Sequence, residues 1–105
     1  MIKFNKKRRD ILDIYHDILY ACKTADEGKI NKTRLMFKAN LTYDVAKKYI
    51  SKLEEKGFIA KDDDNLYYIT EKGEKALQLL SLLKVKKDEL RRLVESIREE
   101  GLLDD

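Results

Sequence analysis

The stretch KTRLMFKANLTYDVAKKYISKLEEKG, residues 32–57, decides the fold. It reads as two helices joined by a tight turn at Ala39–Leu41. Asn31 stands where the N-cap of the first belongs, and Leu35, Met36 and Ala39 form its inner face, so that helix runs from Lys32 to Lys38. Thr42 is the matching cap for a helix from Tyr43 to Lys56. Val45, Ala46, Tyr49, Ile50 and Leu53 recur at helical spacing there, and Gly57 provides a left-handed stop. The same phase leaves Asp44, Lys47, Lys48, Ser51 and Lys52 on the outer face.

Downstream, Phe58 to Lys61 and Leu66 to Thr70 are short runs of aromatic and branched residues. They flank an Asp-Asp-Asp-Asn turn at positions 62–65, the pattern of a β-hairpin. Thr70 caps a long final helix whose first turn carries Glu71 and Glu74, and which continues without proline to Glu100. Upstream, Ile11, Tyr15, Ile18 and Cys22 mark a helix from Arg8 to Thr24, ended by the Gly28-containing segment from Ala25 to Lys29. Helix, helix-turn-helix, hairpin, helix is the order of a winged helix. The expected fold is mainly α with a small β-hairpin wing, followed by a long C-terminal coiled-coil helix. The expected division is 1–74 for the winged-helix unit, with 1–8 as a basic leader, and 75–105 for the dimerisation helix.

The bulk properties set limits. A chain of 105 residues holds one core, and 41% charged residues with no proline describe a helix-rich chain with a heavily solvated surface. One cysteine excludes an internal disulfide and a cysteine-based zinc site. No apolar run reaches membrane-spanning length, so a cytoplasmic protein is expected. The net charge of +3 is unevenly placed: residues 1–61 carry 15 Lys and Arg against 8 Asp and Glu, and residues 62–105 carry 8 against 12. A polyanion would be drawn to the first part and weakly repelled by the second.

In the last helix, heptad counting places Ala76, Leu83, Leu90 and Ile97 in one column and Leu80, Lys87, Val94 and Gly101 in the other. That is a coiled-coil seam, and it implies a homodimer. Lys87 is its one charged member, expected to fix register or to reach a partner acid.

The runs TRLMFKANLTYDVAKKYISKLEEKGFI and YYITEKGEKAL closely resemble a family of small archaeal winged-helix DNA-binding proteins, the ten-kilodalton basic chromatin-type proteins of Sulfolobus. The resemblance implies an elongated dimer in which the C-terminal helix pairs antiparallel with its twin, and in which the third helix and wing meet DNA. It places the recognition helix at Tyr43 to Lys56, the wing at Phe58 to Thr70 and the dimer helix at Glu71 to Glu100. The three aspartates at the wing tip depart from a basic-wing pattern.

Candidate DNA contacts follow. Lys47, Lys48 and Lys52 suit phosphate neutralisation and donation to guanine. Thr42, Tyr43 and Asp44 occupy the first turn, which reaches deepest into a groove. Asp44 serves equally as a helix-start charge, and Tyr43 as packing. Lys32, Thr33 and Arg34 begin the second helix, where amides and cations grip a phosphate together. Lys61 lies at the wing base, and Lys6, Lys7, Arg8 and Arg9 form a candidate arm. The dimerisation set is Ala76, Leu80, Leu83, Lys87, Leu90, Val94 and Ile97. No catalytic residues, metal site, cofactor, membrane contact or small-molecule ligand is expected. His16 lacks a second metal ligand nearby in sequence, Cys22 reads as a core thiol, and the Asp62–Asn65 turn lacks a calcium loop's glycine. The reading is a homodimeric double-stranded DNA-binding protein, either transcription regulator or chromatin-associated architectural protein. The alternative is a winged-helix protein–protein interaction module of a larger complex.

Overall fold

The computed structural model describes residues 9–103. Its elements are α1 (Ile11–Lys23), a short 3-10 turn (Asp26–Gly28), α2 (Lys32–Lys38), α3 (Tyr43–Glu55), β1 (Ile59–Lys61), β2 (Tyr67–Ile69) and α4 (Glu71–Glu99). The first helix begins later than expected, because Asp10 is its N-cap. The Asp10 carboxylate accepts from the Asp13 amide and the Asp13 carboxylate from the Asp10 amide, a reciprocal box that satisfies two free donors.

The helix-turn-helix forms as expected. Asn31 caps α2 by accepting from the Arg34 amide at 2.9 Å. The chain then reverses through Asn40 at φ 55°, a left-handed position that asparagine tolerates better than most residues. Thr42 is extended at the N-cap of α3, but its hydroxyl makes no capping bond. Gly57 ends α3 at φ 82°.

β1 and β2 pair antiparallel, with Ile59 opposite Ile69 and Lys61 opposite Tyr67. The other edge of β2 is taken by Ile30, which exchanges backbone hydrogen bonds with Tyr67 at 2.9 and 2.7 Å. This third rung places the segment before α2 in the hairpin's sheet. Within the hairpin turn, Asn65 adopts φ 63° and the Asp62 carboxylate accepts from the Asp64 and Leu66 amides.

Ile18, Leu19, Cys22, Leu35, Ile50, Leu53 and Ile59 are fully buried and join α1, α2, α3 and β1 in one core. Cys22 fits there as expected, and burial pushes its thiol up to about 12. The core also takes Leu77, with Ala76 and Leu80 packed against it. The first half of α4 is thus part of the winged-helix body, and the helix continues unbroken across the expected boundary at residue 75.

The close approach at Gly73 makes this joint. A Cβ there would stand 2.0 Å from the Phe58 carbonyl oxygen, so only glycine admits the contact. The Thr70 hydroxyl accepts from the Gly73 amide and donates to the carbonyls of Gly57 and Phe58, tying the helix start to the hairpin start.

α1 and α4 run antiparallel side by side, which places Lys23 against Glu74 at one end and Lys87 against Asp10 at the other. A charged residue expected to face a second chain is therefore ion-paired at 2.8 Å within its own. Leu80 packs on the core and Val94 is 4% exposed, so these two members of the second heptad column are covered within the chain itself, while Gly101 at its end is exposed. The outward stripe is displaced by one residue. Leu79, Leu83, Lys86, Leu90, Leu93 and Ile97 recur at alternating steps of four and three, with Leu79 70% and Leu93 58% exposed. Leu83, Leu90 and Ile97 belong to both counts, and Leu82 extends the exposed stripe sideways. Among the described residues no helix is long and apolar enough to cross a membrane.

Candidate nucleic-acid interface

The outer face of α3 is built around Tyr49. Its ring meets Tyr15 of α1 edge-on, with centroids 5.7 Å apart, and this contact fixes the ring at the rim of the core. The Lys48 and Lys52 ammonium groups lie 5.2 and 5.6 Å from the centre of the same ring. An aromatic face attracts a cation without neutralising it, so the two charges are held in place and remain available to an anion. Lys47 and Lys48 are exposed and Lys52 is half-buried. Among the described residues, no carboxylate forms an ion pair with any of the three. The lysine triplet was legible from helical phase. The tyrosine that anchors two of its members was read only as core, because a 3.6-residue period does not reveal a side chain that is buried at one end and cation-bound at the other.

At the N-terminal end of α3, Thr42, Tyr43 and Asp44 are exposed, Tyr43 by 61%. The packing role considered for Tyr43 is thus a minor one in this structure. On α2, Lys32 is half-buried and Thr33 exposed. Arg34 is exposed and, together with Lys29, Phe37 and Lys38, borders a hollow of about 590 Å³ to which α3 contributes no residue.

At the hairpin, the Lys61 ammonium sits 5.7 Å from the centre of the Tyr67 ring. Asp62 pairs with Lys29 at 2.9 Å; that bond, reinforced by the backbone amides it accepts, holds its carboxyl below the usual carboxylate range. Asp63 and Asp64 stay exposed at the tip. Lys72, near the wing base, donates to the Lys56 carbonyl at 2.7 Å and lies over the Phe58 ring, so it closes the C-terminal end of α3.

Of the expected arm, Lys6, Lys7 and Arg8 lie outside the described residues. Arg9 is folded inward. Its guanidinium donates to Asp17 at 2.8 Å, to the Ala39 carbonyl at 2.7 Å and to the Asn40 carbonyl. Asp17 in turn meets His16 Nδ1 at 3.0 Å and the Lys84 ammonium at 4.0 Å. Desolvation alone would raise the Asp17 carboxyl, but the His16 and Arg9 hydrogen bonds and the Lys84 charge outweigh it and hold the group below its ordinary value. Sequence reading missed this cluster because Arg9, Asp17, Asn40 and Lys84 share no period. Among the described residues, no group of His, Cys, Asp and Glu could hold a metal ion.

An exposed cationic helix after a tight turn, flanked by a hairpin, defines the class. A winged helix-turn-helix family model matches residues 8–88, and the chain belongs to that family. Among solved structures it is similar to Sso10a-2, a DNA-binding protein from Sulfolobus solfataricus, with a TM-score of 0.76 and 30% identity over 92% of this chain and 100% of that one. The resemblance to small archaeal winged-helix proteins noted from residues 33–77 therefore holds in three dimensions. A second similar structure is Sco5413, a MarR family transcriptional regulator from Streptomyces coelicolor. Its TM-score is 0.63 and its identity 15%, over 90% of this chain and 83% of that one; that likeness concerns the fold. No curated protein matches the sequence.

Proposed function

We propose that the protein binds double-stranded DNA as a homodimer, acting as a transcription regulator or as a chromatin-associated architectural protein. The observation that carries this reading is the lysine triplet on α3: Lys48 and Lys52 lie over the Tyr49 ring, and among the described residues none of the three forms an ion pair with a carboxylate. Lys47, Lys48 and Lys52 neutralise phosphates, and Thr42 and Tyr43 at the head of the helix approach base edges. Asp44 beside them is the candidate acceptor for cytosine, and Lys32 and Thr33 at the start of α2 are further candidate phosphate contacts. Lys61 reaches the backbone from the hairpin. The Sulfolobus protein, described as DNA-binding, supports the assignment.

The dimer forms through α4. Its exposed stripe from Leu79 to Ile97 has the four-three spacing of a two-helix seam, and a twin helix covers it. Twenty-nine residues at about 1.5 Å each make a rod of roughly 43 Å. Antiparallel pairing sets one winged helix toward each end, at a separation of the order of one duplex turn, about 34–36 Å.

The test is fluorescence anisotropy with a labelled random duplex, from 50 to 300 mM salt. The six α3 lysines of a dimer on phosphates contribute about −5 to the slope of log affinity against log salt. The Lys47→Glu/Lys48→Glu variant should retain its fold and dimer while its affinity collapses and its slope becomes shallower by about 4. If binding and slope stay as in the wild type, α3 is not the DNA surface. Retained capture of a protein partner by that variant would favour the interaction-module alternative.

A further inference from the structure

The turn between α2 and α3 is closed by backbone bonds, the Asn40 amide donating to the Phe37 carbonyl and the Leu41 amide to the Met36 carbonyl, each at 3.0 Å, but its own side chains add no further tie. Thr42 makes no side-chain capping bond, and Asn40 stands at a left-handed φ of 55°. The carbonyls of Ala39 and Asn40 lie at the end of α2, where no further helical amide follows to satisfy them. Both are taken by the Arg9 guanidinium, which donates to Ala39 at 2.7 Å and also to Asn40. The same guanidinium is held by Asp17 at 2.8 Å. Asp17 sits midway along α1, is only 24% exposed, and collects His16 Nδ1 at 3.0 Å and the α4 residue Lys84 at 4.0 Å.

We infer that Arg9 and Asp17 are positioning residues for the recognition helix: their ion pair pins the turn that aims α3 to α1 and, through Lys84, to the long helix α4. The inference rests on the proposal that α3 meets DNA and deepens it. Only a planar fork can face a carboxylate and two carbonyls together, so lysine at position 9 would not replace it. The arrangement also links the rod that spaces two winged helices to the turn that orients each of them. Arg9 therefore acts from inside the fold, not as a phosphate-seeking arm.

Electrostatics and positioning make opposite statements about Asp17. Replacing it with asparagine removes a negative charge, which by charge alone strengthens binding to a polyanion. If the residue positions α3, binding weakens instead. The experiment measures duplex affinity and its salt slope for wild type, Asp17→Asn, Arg9→Gln and Arg9→Lys, well below each variant's melting temperature. Asp17→Asn and Arg9→Gln should each lose about fivefold to tenfold in affinity. Their salt slopes should stay as in the wild type, and Arg9→Lys should not restore affinity. Equal or tighter binding by Asp17→Asn overturns the inference. So does a slope reduced by about 0.9 per protomer in Arg9→Gln, because that marks a lost phosphate contact.

A second measurement needs no DNA. Amide hydrogen exchange of the free protein should quicken across residues 40–46 in both Asp17→Asn and Arg9→Gln, while the far half of α4 keeps its protection. Unchanged exchange in that segment refutes the clamp. Should the wild type bind no duplex at all, the DNA reading has failed, and exchange alone decides the clamp.

Discussion

Replacing Gly73 with alanine inverts an ordinary rule, and the structure supplies the size of the effect. In a solvated helix, Gly→Ala stabilises by about 1 kcal/mol. At position 73 the new Cβ would lie 2.0 Å from the Phe58 carbonyl oxygen and 2.7 Å from Ile69 Cγ1, where real Cβ contacts essentially never fall below 3.0 Å. The carbonyl must retreat by the difference between 3.0 and 2.0 Å, and it is backbone. That same oxygen accepts from the Thr70 amide and the Thr70 hydroxyl, each at 3.1 Å. Losing two hydrogen bonds costs about 1 kcal/mol each. Strain in the packed joint adds roughly 1–3 kcal/mol. After the helix-propensity gain, the net loss is about 2–4 kcal/mol. For a domain of this size that corresponds to a melting temperature lower by at least about 10 °C. Thermal unfolding followed by circular dichroism at fixed protein concentration measures it. An unchanged or raised melting temperature would refute the reasoning, since it would mean that α4 does not press against the hairpin at this point.

The outward stripe and the inward column of α4 separate in solution. If α4 pairs as proposed, Leu79→Glu/Leu93→Glu should sediment as a monomer at equilibrium where the wild type sediments as a dimer, whereas Lys87→Leu should sediment as the wild type does and shift stability by no more than about 1 kcal/mol, the scale of a partly exposed ion pair. Acid should destabilise the fold. Asp10, lowered chiefly by the Lys87 hydrogen bond, Asp17 and Asp62 all hold their carboxyls below the ordinary 3.8, so the unfolded chain binds their protons more readily. Their contribution is complete above about pH 4 and lost as pH falls through the folded values. Melting temperatures recorded from pH 6 to pH 2 should therefore drop at the acid end, and less steeply in Asp17→Asn.

Local chemistry was the legible part of this chain. Asn31, Thr70 and Gly57 stand at helix boundaries because their side chains, or the lack of one, suit those positions, and nothing distant overrides them. The hairpin turn and the lysine face of α3 were readable for the same reason. The phase of α4 was not, because Leu83, Leu90 and Ile97 satisfy two heptad counts that differ only in their second column. Leu79 and Leu93 compete with Leu80 and Val94 there, and the choice is made by α1, whose docking along α4 turns Leu80 and Lys87 inward. Arg9 was hidden more deeply. A run of four basic residues looks alike whether its last member faces solvent or reaches carbonyls thirty residues away. Gly73 lay within a quoted motif, yet only the distance to Phe58 explains why the motif requires glycine.

The hairpin's acidic apex has a consequence for how a duplex would be seated. Asp62 is occupied with Lys29 and the turn amides, which leaves Asp63 and Asp64 as bare charge at the outermost point. A nucleic-acid strand lying against α3 would be fended off there, as if by a guard rail. Selectivity for one docking angle can come from such a repulsive border as readily as from an added attraction. In this molecule the wing would then steer by refusal, confining the duplex to the narrow lane that the lysines leave open.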